Sequence, residues 1–332
     1  GPFQGAWDGT PAPARAATEA FYGSGDQASL FVGTEAAVFE SLVDDNLANA
    51  PALSPGQWTP VGTAYSPYAP GSYAKDAIVT NVASHRLFKS LVDANSAALT
   101  DITRWQDFSP TNRWAAFDGK RSNQSKRPGE LYFEIQATKR VDTIGLLALG
   151  ASRANIKVEV AGEVLREKNI SLISSYGIRG RYSWLFEPIV RKSAIVVSGL
   201  PIDLNPKLSI TLTGGAEVAV GHIVHGRSRK LGGTQFGAEL GMTDFSKFEE
   251  DGFGGLEVLV RGYRDRGSFT VEVDNRAVDG VVTLIKQYHA TPVLVVASEN
   301  FASMIYFGLL KFGGIVVSNA RKSILAVDVD AF

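Results

Sequence analysis

Val38-Phe39-Glu40-Ser41-Leu42-Val43-Asp44-Asp45-Asn46, followed by Trp58, returns along the chain as Leu87-Phe88-Lys89-Ser90-Leu91-Val92-Asp93-Ala94-Asn95, followed by Trp105. The copies lie 49 residues apart at Phe39 and Phe88 and 47 apart at the tryptophans, as a loop two residues shorter would leave them. This is an internal duplication. Repeats of about 45 residues with alternating apolar positions and Pro-rich joints read as small β modules. Neither copy is long enough to bury much alone, so each is expected to pack on the other or on a neighbour. The modules are assigned to residues 27–64 and 65–109.

Before them, residues 1–26 are rich in Ala, Gly and Pro without a period, which predicts an extended arm ordered only against a partner. After them, short β-prone runs follow at 131–135, 143–149, 156–160, 182–186, 194–197, 208–212 and 217–220, separated by Gly, Pro, Asn and Asp. That spacing predicts a jelly-roll β-sandwich over residues 110–226, with Trp114 in or beside its core. Gly226-Arg227-Ser228-Arg229-Lys230-Leu231-Gly232-Gly233 is polar and glycine-rich and reads as a linker. Residues 227–332 then alternate strands with one helix. Val278, Val281, Val282, Ile285 and His289 recur at helical spacing, with Asp274 or Asn275 to cap it and Pro292 to end it. Further strands are expected at 256–261, 268–273, 293–297, 304–310, 314–317 and 323–329; in the last, Leu325, Val327 and Val329 face inward while Ser323, Ala326, Asp328 and Asp330 face water. The fold class is mainly β: tandem small modules, a sandwich, and a C-terminal α+β domain with one helix on an antiparallel sheet.

Charge narrows the function. With 33 Lys and Arg against 34 Asp and Glu, the chain has no long-range field to attract nucleic acid or an anionic membrane, and neither partner is expected. The absence of cysteine excludes disulfide scaffolds, thiolate nucleophiles and Cys-ligated zinc or iron–sulfur sites. The longest apolar runs fall well short of the roughly 18 residues that span a bilayer, and the first twenty residues lack the basic and apolar regions of a signal peptide.

Catalytic constellations are weak throughout. His222 and His225, offset by three on a strand, point to opposite faces and read as ordinary strand-end histidines. Glu249-Glu250-Asp251 is an acidic run in a solvated loop, not a pair set across a cleft. Gly252-Phe253-Gly254-Gly255 lacks the strand-to-helix context of a phosphate loop. No enzyme activity, cofactor or metal is expected. The aromatics are more informative: Tyr65, Tyr68, Tyr73, Phe88 and Trp105 fall in one module, and Trp58 closes the other. Apolar C–H faces of sugars stack on such rings, so Tyr68, Tyr73, Trp105 and Trp58 are candidate glycan contacts. Small modules also need aromatics as core, and that reading stands beside the first for Phe39, Phe88, Trp58 and Trp105.

Tyr73-Ala74-Lys75-Asp76-Ala77-Ile78-Val79, then residues 85–93, then Trp105, resembles the small carbohydrate-binding modules of chitinases and of bacteriophage tail proteins. In those modules an aromatic and Gly-Asp precede a Val strand and a closing Trp. Here Lys75 stands for the Gly and Phe88 for a Tyr, and residues 27–64 lack the Gly-Asp lead-in. The run from Arg104 through Trp114 to Asp118-Gly119 resembles the junction between such a module and a galactose-binding-like jelly roll in tailed-phage virion proteins. Gly241-Met242-Thr243-Asp244-Phe245-Ser246, Asp251-Gly252-Phe253-Gly254 and Arg264-Asp265-Arg266 resemble the C-terminal part of the same proteins.

The resemblance implies a non-enzymatic structural protein of a phage tail, in the distal tail or baseplate. Its partners would be other tail proteins, copies of itself and a cell-surface glycan. The alternative is a secreted, extracellular bacterial lectin or carbohydrate-binding accessory protein.

Overall fold

The computed structural model describes residues 22–32, 35–44, 46, 49–51, 53–120, 122–174, 180–203, 205–250, 255–299 and 301–331. The expected arm lies outside them as far as residue 21, and so does the glycine run at 251–254. The chain is mainly β, built of small antiparallel sheets with one helix near its C-terminus. It forms two compact units, the first up to Ala137 with Ala148–Arg191 and Pro206–His222, the second of Thr138–Leu147, Lys192–Asn205 and Ile223–Phe332.

The first unit opens with two three-stranded antiparallel sheets: β1 (Gln27–Val32), β2 (Glu35–Ser41) and β3 (Trp58–Tyr65), then β4 (Ile78–Asn81), β5 (Arg86–Ser90) and β6 (Trp105–Pro110). They are the duplicated modules, and they repeat a set of hydrogen bonds. Each carries a register shift at the repeated Phe, between Val38 and Phe39 and between Leu87 and Phe88. Asn46 Nδ2 donates to Ser41 Oγ at 2.8 Å and to the Gln57 carbonyl at 3.2 Å; Asn95 Nδ2 donates to Ser90 Oγ and the Arg104 carbonyl, both at 3.0 Å. All four of these Ser and Asn residues are buried, which is why the repeated Ser-Leu-Val-Asp run ends on the shared Asn.

The correspondence begins earlier than the sequence spacing indicates. Tyr22 exchanges backbone hydrogen bonds with Asn46 as Tyr73 does with Asn95, and Gly25 (φ +87) takes the left-handed position that Asp76 (φ +67) takes in the second module. Tyr22-Gly23-Ser24-Gly25-Asp26 is therefore the lead-in that residues 27–64 were expected to lack, and it belongs to the first module, not to an arm.

A short helix α1 (Asn112–Ala115) follows β6, and the N–H of Thr111 donates to the His85 carbonyl at 2.9 Å. Trp114 does not enter a core: it is 38% exposed, stacked on His85 with centroids 4.4 Å apart and 16° between planes. Its place is the seam between second module and α1, where positive-φ His85 offers a flat partner. β7 (Ser125–Arg127) carries Arg127, whose guanidinium pairs with Glu40 and so ties the first module to the strands that follow. The largest sheet here comprises β8 (Glu130–Gln136), β10 (Arg153–Val160), β11 (Glu163–Ser171) and β13 (Lys207–Thr213) in the order β11-β10-β13-β8. Leu131, Phe133, Ile156, Val158, Leu208, Ile210 and Leu212 alternate onto its buried face. β14 (Val218–Val220) pairs with β7. The run at 182–186, expected as a strand, is instead a helix, α2 (Arg181–Phe186), that leaves Tyr182, Leu185 and Phe186 in solvent.

The second unit holds the remaining runs of the expected sandwich, β9 (Thr143–Leu147), β12 (Ala194–Val197) and β15 (His222–Gly226), in the order β12-β9-β15. Its other sheet contains β16 (Gly233–Thr234), β17 (Glu239–Asp244), β20 (Tyr263–Asp274), β21 (Pro292–Val296), β22 (Ile305–Val317) and β23 (Lys322–Ala331). Between β17 and β20 lies the hairpin of β18 (Lys247–Glu250) and β19 (Leu256–Leu259). The helix α3 (Val278–Gln287) follows a turn capped by Asp274, whose carboxylate accepts the Arg276 N–H at 3.0 Å.

Alternation sets this core: Phe269, Val271 and Val273 on β20 meet Leu325, Val327 and Val329 on β23, with Val281 of α3 against them. Ser323 corrects the expected pattern, since it shares the buried face and its hydroxyl donates to Asn275 Oδ1 at 2.6 Å. The runs at 304–310 and 314–317 form one strand, because Gly314 (φ +110) absorbs a bulge where a side chain would be strained. β9 and β21 pack closely because Gly145 has no Cβ, which would sit 2.4 Å from Leu294 Cδ2.

Candidate functional site

The second module brings three of the sequence's candidate glycan contacts together. Tyr68 and Tyr73 stack at 5.9 Å with 24° between planes, and both meet Trp105 edge-on, at 5.9 Å and 5.4 Å. Backbone pairing sets this geometry: the Tyr68 N–H donates to the Thr80 carbonyl and the Tyr73 N–H to the Asn95 carbonyl, each at 2.9 Å. The phenols are fixed as well. The Tyr68 hydroxyl donates to the Ala97 carbonyl at 3.1 Å, which also accepts the Trp105 indole N–H at 2.9 Å. The Tyr73 hydroxyl donates to the Ala69 carbonyl at 2.6 Å and accepts the Ala69 N–H at 3.1 Å.

Trp105 and Trp58 are both only 2% exposed, so neither indole offers a face to a ligand; both are the hydrogen-bonded centres of their modules. Phe39 and Phe88 are half-buried in the strands between. The aromatic surface that remains is Tyr68 and Tyr73, half-buried, with Ala69, Pro70, Gly71 and Ser72 exposed between them. Nearby, Asp76 lies 2.8 Å from the Lys89 ammonium, which holds its carboxyl below the usual range, and the Asp93 carboxylate accepts the Lys75 N–H at 2.9 Å. A neutral pair of rings held by its own hydrogen bonds can cover the C–H face of a sugar at small entropic cost.

In the first module Tyr22 takes the place of Tyr73, edge-on to Trp58 at 4.9 Å. Sequence reading missed Tyr22, although Tyr22-Gly23 and Tyr73-Ala74 followed by Gly25 and Asp76 carry the signal at a spacing of 51. The same spacing places Ala17 opposite Tyr68.

The two histidines of β15 diverge as the offset predicts. His222 is buried with Nδ1 3.1 Å from the Ala116 carbonyl, and burial lowers its pKa, while His225 reaches solvent. Among the described residues no group of three or more His, Cys, Asp or Glu is placed to hold a metal ion, and none of their helices is long and apolar enough to cross a membrane.

No protein-family model matches the sequence, and no curated protein matches it. Among solved structures, the lectin domain of lectinolysin, complexed with the Lewis B antigen, aligns with 35% of this chain and 83% of its own, at 12% identity and a TM-score of 0.25. A likeness that slight carries no argument for fold or ligand.

Proposed function

We propose that this chain is a non-enzymatic structural component of a phage tail, in the distal tail or baseplate, that works by subunit assembly and touches a host-surface glycan through Tyr68 and Tyr73. One observation carries the assembly reading. β17 pairs with the first half of β20, a ribbon as far as Asp265 that β23 joins from Arg266 onward, and Leu240, Met242 and Tyr263 along it are exposed, as are Phe236 before it and Phe248 and Val260 towards the hairpin. Apolar residues gathered on an open strand edge are a template for a neighbouring subunit. A second copy of this chain is the occupant that a symmetric tail would supply.

Glycan contact adds to this account. One tyrosine pair is a weak site, and repetition around a symmetric particle raises its avidity. The secreted-lectin reading uses the same tyrosines but leaves the ribbon without a role. Peptide mass spectrometry of purified tailed particles from the source tests the reading: this chain should appear in a fixed ratio to the other tail proteins. Its presence only as free protein in the medium would favour the lectin.

A further inference from the structure

The basic segment that sequence reading makes a linker is anchored at both ends. Ahead of it, the Asp142 N–H donates to the Gly226 carbonyl at 3.0 Å, and the Asp142 carboxylate accepts the Ser228 N–H at 2.7 Å. Behind it, Gly233 and Thr234 pair with Glu272 and Val271 of β20, and the Thr234 hydroxyl donates to the Ala297 carbonyl at 2.9 Å. Gly232 presses against β20 so closely that a Cβ would lie 2.2 Å from the Glu272 carbonyl oxygen. Arg227, Arg229 and Lys230 are thus held in place with their side chains exposed, and among the described residues none of the three forms an ion pair.

Beneath them is a cleft of about 410 Å³. Its floor is Phe269, Val271 and Val295, and its walls include Leu284 and Ile285 from the C-terminal half of α3. The helix packs on the sheet through Val281 and Ile285, with Leu284 half-buried and Tyr288 partly exposed at the end. No carboxylate lines the cleft. Apolar walls under a basic rim suit a ligand with an aliphatic body and one anionic head, and the volume lies in the range of small-molecule sites.

We infer that this cleft binds a linear aliphatic carboxylate, its chain on Phe269, Leu284, Ile285 and Val295 and its head at Arg227, Arg229 and Lys230. The inference is independent of the tail and glycan readings. Charge complementarity selects the head: the Asp142 carboxylate acts on Arg227, while Arg229 and Lys230 form no ion pair among the described residues. The exposed ion pairs are individually weak and salt-sensitive, so the apolar body supplies most of the affinity and the cations select the anion.

Calorimetric titration of the full chain with sodium decanoate tests this. Saturable one-to-one binding is expected, weakened by added salt, and weaker for decan-1-ol. Arg229→Glu with Lys230→Glu, both solvent-exposed, should weaken decanoate binding about tenfold. Leu284→Gln should weaken decanoate and decanol alike. The inference is overturned if millimolar decanoate gives no saturable signal, or if binding survives both variants unchanged. It is equally overturned if only an apolar peptide with a free C-terminal carboxylate binds, which would make the cleft a protein-docking site.

Discussion

Trp58 and Trp105, 47 residues apart, make the same hydrogen bond: each buried indole N–H donates at 2.9 Å to a backbone carbonyl in the loop before it, Asn49 in one module and Ala97 in the other. Each ring also receives a tyrosine edge-on, Tyr22 or Tyr73. Conserving the bond while the loop length differs means that the loop is shaped around the indole. Trp58→Ala and Trp105→Ala should each cost about 3–5 kcal/mol of module stability, as large-to-small core changes do. Denaturant unfolding of the full chain measures it, and a change near zero at either position would contradict the core assignment.

Asn46 and Asn95 should behave as equivalents. Asn95→Ala withdraws a donor from both Ser90 Oγ and the Arg104 carbonyl, and Asn46→Ala does the same to Ser41 Oγ and the Gln57 carbonyl. Leaving such buried acceptors unpaired costs about 1–3 kcal/mol. Comparable destabilisation by the two variants is the expected outcome; a neutral Asn46→Ala beside a damaging Asn95→Ala would show that the first module does not use the network.

Trp114 gives a contrasting expectation. Partly exposed and stacked on His85, it should lose only about 1 kcal/mol on Trp114→Ala. A double-mutant cycle with His85→Ala should return a coupling of about 0.5–1.5 kcal/mol. A loss as large as that at Trp105 would return Trp114 to the core.

His222 predicts a pH dependence. Burial lowers its pKa, so the neutral ring is the folded form and its Nδ1–H donates to the Ala116 carbonyl. Below about pH 6.5 the unfolded chain takes up a proton that the folded chain refuses, so stability falls as pH drops through that value towards the lowered one. Melting temperatures at pH 7.5 and 5.5 should differ more for the wild type than for His222→Asn. Equal differences would mean that His222 does not titrate in this window.

The duplication was legible because its signal is identity, from the repeated Phe-x-Ser-Leu-Val-Asp run to the closing Trp, and the C-terminal helix because Val278, Val281 and Ile285 keep one face. Burial on β23 was legible as alternation, apart from Ser323, whose inward turn is compensated by Asn275, a partner 48 residues away. The failures share a cause, contacts remote in sequence. The β-prone run at 182–186 suggests a strand, yet the segment is a helix that leaves Tyr182 and Phe186 exposed. Trp114 looks like core until Thr111 pairs with His85. Residues 226–233 look like a linker until Asp142 and β20 hold them. In the site, Tyr68 and Tyr73 were legible as residue types, but only backbone pairing with Thr80 and Asn95 shows that they stack.

Assembly through the ribbon of β17 and β20 is the claim on which the proposed role rests, and sedimentation velocity of the full chain over a concentration series tests it most directly. The wild type should sediment as a closed oligomer, while Leu240→Asp with Met242→Asp, both exposed on the ribbon, should sediment as a monomer with an unchanged melting temperature. A wild type that stays monomeric at every concentration, or a double variant that assembles equally well, would contradict it.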